Sequence, residues 1–315
     1  MKDLHILNYV STTLWAITAE KWAEVLPVLM RHARGETLTA EEIQARIGTP
    51  PATSHGRRGS VAVLPIHGVI AHRGGGLDES SGGTSTERIA AQFQQLLADD
   101  SVGTILLDCN SPGGTIPGVN ELAAVIAAAR GQKPIVAMAN SLMASAAYWI
   151  ASQADEIVSI PSGTIGSIGV FTAHQDLSVA LEKEGIKVTL ISAGKYKVAG
   201  NPFEKLSADE EAVIQARVDA AYDQFVKAVA SGRGASQKAV RDGYGQGRAL
   251  SAPEALKAGL IDRIETFDQT LGRLLGRKAA TAGMRAEDAD VELVAAVPPV
   301  LLDPHDQARR ARLLL

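Results

Sequence analysis

Between Ser60 and Ile160, short apolar runs alternate with amphipathic stretches, and this limits the folds open to the chain. Val61-Ala62-Val63-Leu64-Pro65-Ile66, Thr104-Ile105-Leu106-Leu107-Asp108 and Pro134-Ile135-Val136-Ala137-Met138 read as buried strands. Between them, Thr86 to about Ala98 and Gly118 to Arg130 read as helices, the second with Val119, Leu122, Ala123 and Ile126 on one face. Continuous apolar strands separated by helices predict an α/β domain with a mostly parallel central sheet, because each parallel pair needs a crossover and is covered on both faces. Ligands of such sheets gather at the carboxyl ends of the strands. Two turns follow such ends: Asn110-Ser111-Pro112-Gly113-Gly114 and Met143-Ala144-Ser145-Ala146-Ala147-Tyr148.

The rest of the chain is read around this unit. Ser145 to Ala154 is expected to be a helix, and Glu156–Ile160, Ser167–Val170 and Lys187–Ile191 further short strands. Ser207 to Ala230 is a long predicted helix: Ser207, Asp209 and Glu210 suit its start, and Ile214, Val218, Ala221 and Phe225 form its apolar stripe. Ala249 to Ile264 reads as a short helix and strand. Residues 1–48 are expected to be a helical extension, with Thr18 capping a helix that carries Trp22, Val25, Leu26 and Leu29, and a second helix starting near Thr39. Residues 49–59 are Pro-, Gly-, Ser- and Arg-rich, a linker by composition. The expected division is a core domain over 60–276 and a flexible tail over 277–315.

Composition closes off several function classes. The net charge is −4, so no nucleic-acid footprint is visible. Cys109 is the single cysteine, which excludes an intrachain disulfide and fits a reducing compartment. No apolar run reaches the roughly 18 residues needed to span a membrane, and the N-terminus lacks the apolar core of a secretory signal. The reading is a soluble, cytoplasmic protein without a membrane anchor. Neither a phosphate-binding loop nor a clustered ligand set is present, so no cofactor or metal is expected.

The two turns carry the candidate chemistry. A serine hydroxyl is a poor nucleophile without a base. Small neighbours around Ser145 let a carbonyl approach, and the Ala146 N–H would lie at the start of a helix. Gly113 and Gly114 can adopt positive φ and aim their N–H groups at one point. That is the requirement of an oxyanion hole, worth about 3–4 kcal/mol in a hydrolase. For the base, seven histidines are available, of which His174 is the one shortly downstream of Ser145. A Ser145–His174 pair with Asp176 is therefore one arrangement. A lysine is the other, provided that burial away from carboxylates lowers its pKa from about 10.4 toward 7–8. Lys197 and Lys195 lie together in Gly194-Lys195-Tyr196-Lys197. Cys109, at a strand end, reads as a small buried residue rather than a nucleophile.

Four ordered segments carry a resemblance. Asp108–Gly114, Ala144-Ser145-Ala146-Ala147-Tyr148, Thr164-Ile165-Gly166-Ser167-Ile168-Gly169-Val170, and Gly194–Lys197 with Asn201-Pro202-Phe203 resemble the signal peptide peptidase A family, over about residues 60–270. The resemblance implies a ClpP/crotonase-like fold and a Ser-Lys peptidase. It aligns Ser145 with the nucleophile, Lys197 with the general base and Ser167 with the residue that orients the lysine. It gives the Gly114 and Ala146 N–H groups the oxyanion places. Where many members carry glycines after the nucleophile, this chain has Ala146-Ala147, which narrows the space beside the serine. The helical extension makes the chain similar to the phage branch, whose members trim scaffold and capsid proteins. That implies a capsid-maturation serine endopeptidase with scaffold or capsid proteins as substrates. It also implies a homo-oligomeric ring in which Lys197 can be supplied by a neighbour. The alternatives are a cytoplasmic peptidase degrading signal or leader peptides and, in another class, a crotonase-like acyl-CoA enzyme or an inactive scaffold protein.

Overall fold

The computed structural model describes residues 12–32, 56–73 and 83–282. The main sheet has eight strands among the described residues. Its centre is β3 (Val61–His67), β6 (Thr104–Ser111) and β8 (Ile135–Ala144), paired in parallel. Their cores are the three apolar runs of the sequence. β8 is ten residues long and divides its other edge between two strands. Its first half pairs with β9 (Glu156–Ser159) and its second half with β10 (Thr164–Gly166), both parallel. β2 (Gly56–Arg58) and β11 (Ala249–Ser251) add antiparallel edges, and β12 (Arg263–Ile264) pairs in parallel with β9.

A second, four-stranded sheet lies at the carboxyl end of the first. Its order is β1 (Trp15–Ile17), β7 (Gly113–Thr115), β4 (Ile70–Ala71) and β5 (Thr84–Ser85). β1 runs antiparallel to β7, and the other pairs are parallel.

Helices fill both faces, as a parallel sheet requires. α2 (Thr86–Ala98), α3 (Val119–Ala128), α4 (Ala146–Ala151) and α6 (Ala208–Arg233) cover one side, where Ile89, Phe93, Ile126, Trp149, Phe225 and Val229 join one buried cluster. α9 (Phe267–Ala282) covers the other side with Leu271 and Leu274 against Val61, Leu106 and Met138. Trp149 stacks on Phe225 at 4.6 Å and 12°, which fixes α4 against α6. Arg130 gathers carbonyls from both helix ends: Gln153 at 2.7 Å, Ala154 at 2.6 Å and Gly232 at 2.9 Å. α6 begins on a capping box formed by Ser207 and Glu210, at the position the sequence indicated. The remaining helices are α1 (Ala19–His32), α5 (Ser178–Lys183), α7 (Gln237–Gly243) and α8 (Ala252–Ala258).

The expected α/β class with a mostly parallel sheet is what the chain forms, with several local differences. Thr18 does cap α1, accepting the Lys21 N–H at 3.3 Å, but the three residues before it are a strand, not helix. Gly56–Arg58, within the expected linker, pairs with β3. The strand expected at Ser167–Val170 lies earlier, at Thr164–Gly166, because Ser167 takes φ +52 and leaves the ladder. Lys187–Ile191 is not a strand: Ile186, Val188 and Ile191 are exposed, and among the described residues no strand pairs with them. A helix that the sequence reading did not include, Phe267–Ala282, crosses the expected boundary at 276/277 and takes in the first residues of the expected tail. The second N-terminal helix near Thr39 and the tail after Ala282 lie outside the described residues.

Asp262 locks the end of α6 to the sheet. It takes two hydrogen bonds from Arg233, at 2.6 and 2.9 Å, and one from the Ile157 N–H at 2.7 Å. Burial opposes its charge, but Arg233 and the Ile157 amide outweigh that and hold the carboxyl below the usual aspartate value. A depressed acid contributes stability above its unfolded-state value and loses it as pH falls through the folded one. The thermal midpoint of the wild type should therefore exceed that of Asp262→Asn by a constant margin down to about pH 4. The margin should shrink only below that, which a pH series of melting curves would read.

Candidate active site

Ser145 stands between the last residue of β8 and the first of α4. Its backbone takes φ +57, ψ −120, a region that a non-glycine residue occupies only at a cost of about 1–3 kcal/mol. Such a strand-to-helix elbow turns a serine side chain out of the helix path. Tertiary contacts hold it. The Ser145 N–H donates to the Gly166 carbonyl at 2.7 Å, and the Ser145 carbonyl accepts the Trp149 N–H at 2.9 Å. Trp149 and Tyr148 are fully buried, and the Tyr148 hydroxyl donates to the Leu260 carbonyl at 2.9 Å. Ser145 is 1% exposed, and its Oγ is buried without a hydrogen-bond partner among the described residues.

The glycine pair packs directly against it. Gly113 has φ +95, and a Cβ built there would lie 2.9 Å from Ser145 Cβ and 3.0 Å from the Ala146 nitrogen. A Cβ on Gly114 would lie 1.8 Å from the Ile70 carbonyl oxygen. Both positions therefore exclude a side chain, one through conformation and crowding, the other through β4. Ser111 steadies the turn: its hydroxyl donates to the Gly68 carbonyl at 2.6 Å and accepts the Gly113 N–H at 3.2 Å. Ser167 follows Gly166, whose carbonyl takes the Ser145 N–H, and its own N–H donates to the Arg248 carbonyl at 3.0 Å. Ser145, Ala146, Gly113, Gly114 and Ser167 thus converge from three separate segments.

The base candidates lie elsewhere in the chain. Lys197 is exposed, in the turn Gly194–Gly200, and makes no hydrogen bond to Ser145 Oγ. Lys195 is exposed, and hydrogen bonds with Tyr196 and with Asp209, 3.0 Å away, raise its pKa and so hold its proton. His174 Nε2 meets the Asn201 carbonyl at 3.0 Å, and Asp176 accepts hydrogen bonds from Ser178. Among the described residues no hydrogen bond joins His174 to Asp176 or to Ser145. Cys109 is buried, and loss of water pushes its thiol pKa up, as expected of a core residue. At the end of β3, His67 Nε2 lies 3.2 Å from Asp108 Oδ2 across the parallel pair. No group of residues suited to a metal ion occurs among the described residues, and none of their helices is long and apolar enough to cross a membrane.

The sequence of residues 127–280 matches peptidase family S49. This chain carries a peptidase family S49 domain. It is the family of signal peptide peptidase A, and the α/β architecture with its mostly parallel sheet is that family's ClpP-like fold. The chain is 37% identical over 281 residues to the capsid assembly protease C of Escherichia phage lambda, covering 82% of this chain and 64% of that protein. It is 37% identical over 217 residues to the head-tail preconnector protein GP5 of Enterobacteria phage P21, covering 69% and 43%. Protease 4 of Salmonella typhi is 29% identical over 216 residues, covering 68% of this chain and 34% of the relative. The chain therefore spans less than two thirds of the length of these S49 relatives.

One element of the site escaped the sequence reading. β1 lies against β7 at the glycine pair, and the Cβ position of Gly113 is 2.1 Å from the Ala16 carbonyl oxygen. The sequence signal was the apolar run Leu14-Trp15-Ala16-Ile17 just before the Thr18 cap, too short to read as a strand without its partner.

Crowding at Gly113 can be separated from backbone strain. Gly131 has φ +81 with open space around its Cβ position. In urea titrations Gly131→Ala should cost only the strain, roughly 1–3 kcal/mol. Gly113→Ala should cost clearly more, since its Cβ also meets Ala16 and Ser145.

Proposed function

We propose that this protein is a serine endopeptidase that acts on phage scaffold or capsid proteins, with Ser145 as nucleophile and Lys197 as general base. The observation that carries the reading is the strained Ser145 elbow, packed against Gly113 and the Ala146 N–H. A hydroxyl held in a costly conformation, buried and without a partner, is a reservoir for chemistry rather than a packing residue. The S49 domain supports peptide hydrolysis, and the likeness to capsid assembly protease C supports the substrate class.

In this reading Ser145 Oγ attacks the scissile carbonyl while the Lys197 amine takes its proton. The Gly114 and Ala146 N–H groups stabilise the oxyanion. The carbon–nitrogen bond breaks, the lysine ammonium protonates the leaving amine, and water then hydrolyses the acyl-enzyme with Lys197 again as base. Ser167 orients the lysine. A lysine amine acts as a base only when water is stripped from it. We place that event at a subunit interface, where Lys197 of one protomer meets Ser145 of the next in a homo-oligomeric ring. Two features support this. Lys197 is exposed in the single chain, and the same region exposes Val179, Ile186, Val188, Ile191 and Tyr196, with Ile191 at 97%. Such a row of exposed apolar side chains is what an association surface needs.

Ser145→Ala and Lys197→Ala should each abolish cleavage of a scaffold or capsid substrate, while His174→Ala should retain it. Full activity of Lys197→Ala with loss in His174→Ala would move the base to the histidine. Equal mixing of unfolded Ser145→Ala and Lys197→Ala chains, followed by refolding, should recover roughly a quarter of wild-type activity if each site is shared between protomers. A site contained in one protomer would recover none. Ile191→Asp should lower the mass seen in light scattering and reduce activity with it.

A further inference from the structure

The nucleophile proposed above is buried, and a strand of the same chain lies beside it. β1 has β7 on one side, in the register Trp15↔Thr115, Ala16↔Gly114, Ile17↔Gly113. At the ends of this ladder the Ile116 N–H donates to the Leu14 carbonyl at 3.2 Å and the Thr18 N–H donates to the Pro112 carbonyl at 2.9 Å. In an antiparallel ladder hydrogen-bonded pairs alternate with unbonded ones. Positions 14–116, 16–114 and 18–112 are therefore the bonded pairs, and the Gly114 N–H is directed at the Ala16 carbonyl. On its other side β1 exchanges two hydrogen bonds with Phe171, Trp15 N–H to its carbonyl at 2.8 Å and the return bond at 3.0 Å. Just before them, the Thr172 hydroxyl donates to the Thr13 carbonyl at 2.8 Å. An extended segment held by main-chain hydrogen bonds to a sheet edge, with alternate side chains in pockets, is how peptides bind by strand addition.

The carbonyl at the centre of this segment lies close to the candidate chemistry. One point, the Cβ position of Gly113, is 2.1 Å from the Ala16 oxygen, 2.9 Å from Ser145 Cβ and 3.0 Å from the Ala146 nitrogen. The Ala16 carbonyl thus lies beside the Gly114 N–H and in the neighbourhood of Ser145 and the Ala146 N–H. The Ala16 methyl is fully buried in the main core. Trp15 is buried, 4.7 Å from Trp22, which in turn meets Phe171 edge-on at 5.5 Å. The cavity of about 310 Å³ beside the Ser167 turn, lined by Ile168, Val170, Val218 and Tyr222, does not reach Ser145.

We propose that Leu14–Thr18 is a built-in pseudosubstrate. This strand fills the peptide cleft of the active site with the Ala16–Ile17 bond in the scissile position, and it must leave before a protein substrate enters. The proposal rests on Ser145 being the nucleophile. Activity then scales with the fraction of molecules whose strand is out, so loosening the strand raises activity by the factor by which that fraction grows.

The test reads access to Ser145 in the full chain, as the rate of labelling by a fluorophosphonate probe. Ala16→Asp places a carboxylate where a methyl is fully buried. Trp15→Ala removes the aromatic anchor and leaves the backbone ladder intact, which guards against a folding failure in the first variant. Both should label at least about tenfold faster than wild type. A synthetic peptide with the sequence of residues 12–19 should slow the labelling of both variants in a saturable way. A Ser145-dependent cut between Ala16 and Ile17, found by mass spectrometry, would equally support the proposal, since it presents that bond to the nucleophile. Wild type and variants of unchanged circular dichroism labelling at one rate, indifferent to the peptide, would overturn it while leaving Ser145 as nucleophile. Labelling that is absent throughout, or that persists in Ser145→Ala, would instead remove the serine reading and the pseudosubstrate with it.

Discussion

The backbone of Ser145 is the constraint around which the upper half of the molecule is organised. A serine does not hold φ +57, ψ −120 on its own. Here it is clamped by the Gly166 carbonyl on its N–H, by the buried pair Tyr148 and Trp149 on the helix that follows, and by Gly113 against its Cβ. Each clamp makes its own demand. Gly166 must end β10 at φ +111, Trp149 needs Phe225 on α6, and Gly113 needs the empty space of a missing side chain. The long helix α6, remote in sequence, is thus a support of the elbow through one aromatic stack.

Much of this was legible in the sequence because its causes are local. The central strands announce themselves through continuous apolar runs, and the turn residues through glycines and a proline at strand ends. The start of α6 is written in Ser207 and Glu210, which satisfy each other's backbone partners. Ser145 and Gly113–Gly114 were recognisable as a pair because both follow strands that lie side by side in a parallel sheet.

What was not legible depends on partners far along the chain. Trp15–Ile17 is a strand because residues 113–115 and Phe171 offer it two edges, a fact absent from its own composition. Lys187–Ile191 fails to be a strand for the converse reason: it has the β-branched residues, but no edge pairs with it among the described residues. The catalytic distance between Ser145 and Lys197 belongs to the same class, since in our reading it is set between chains.

The divided edge of β8 has a consequence for how such a site can vary. β9 and β10 lie along the same strand, separated by a turn at Gly163, where a Cβ would lie 2.1 Å from Ser159 Oγ. The lower ladder, with β12 and α9, anchors the core through Leu271 and Leu274. The upper ladder, with β11, presents Ser167 and the Gly166 carbonyl that holds Ser145. Two functions that a single continuous strand would weld together are thus carried on separate pieces. Substitutions in the paired β10 and β11 can retune the geometry around the serine without loosening the foundation beneath it, so reactivity and stability can drift independently in descendants of this chain.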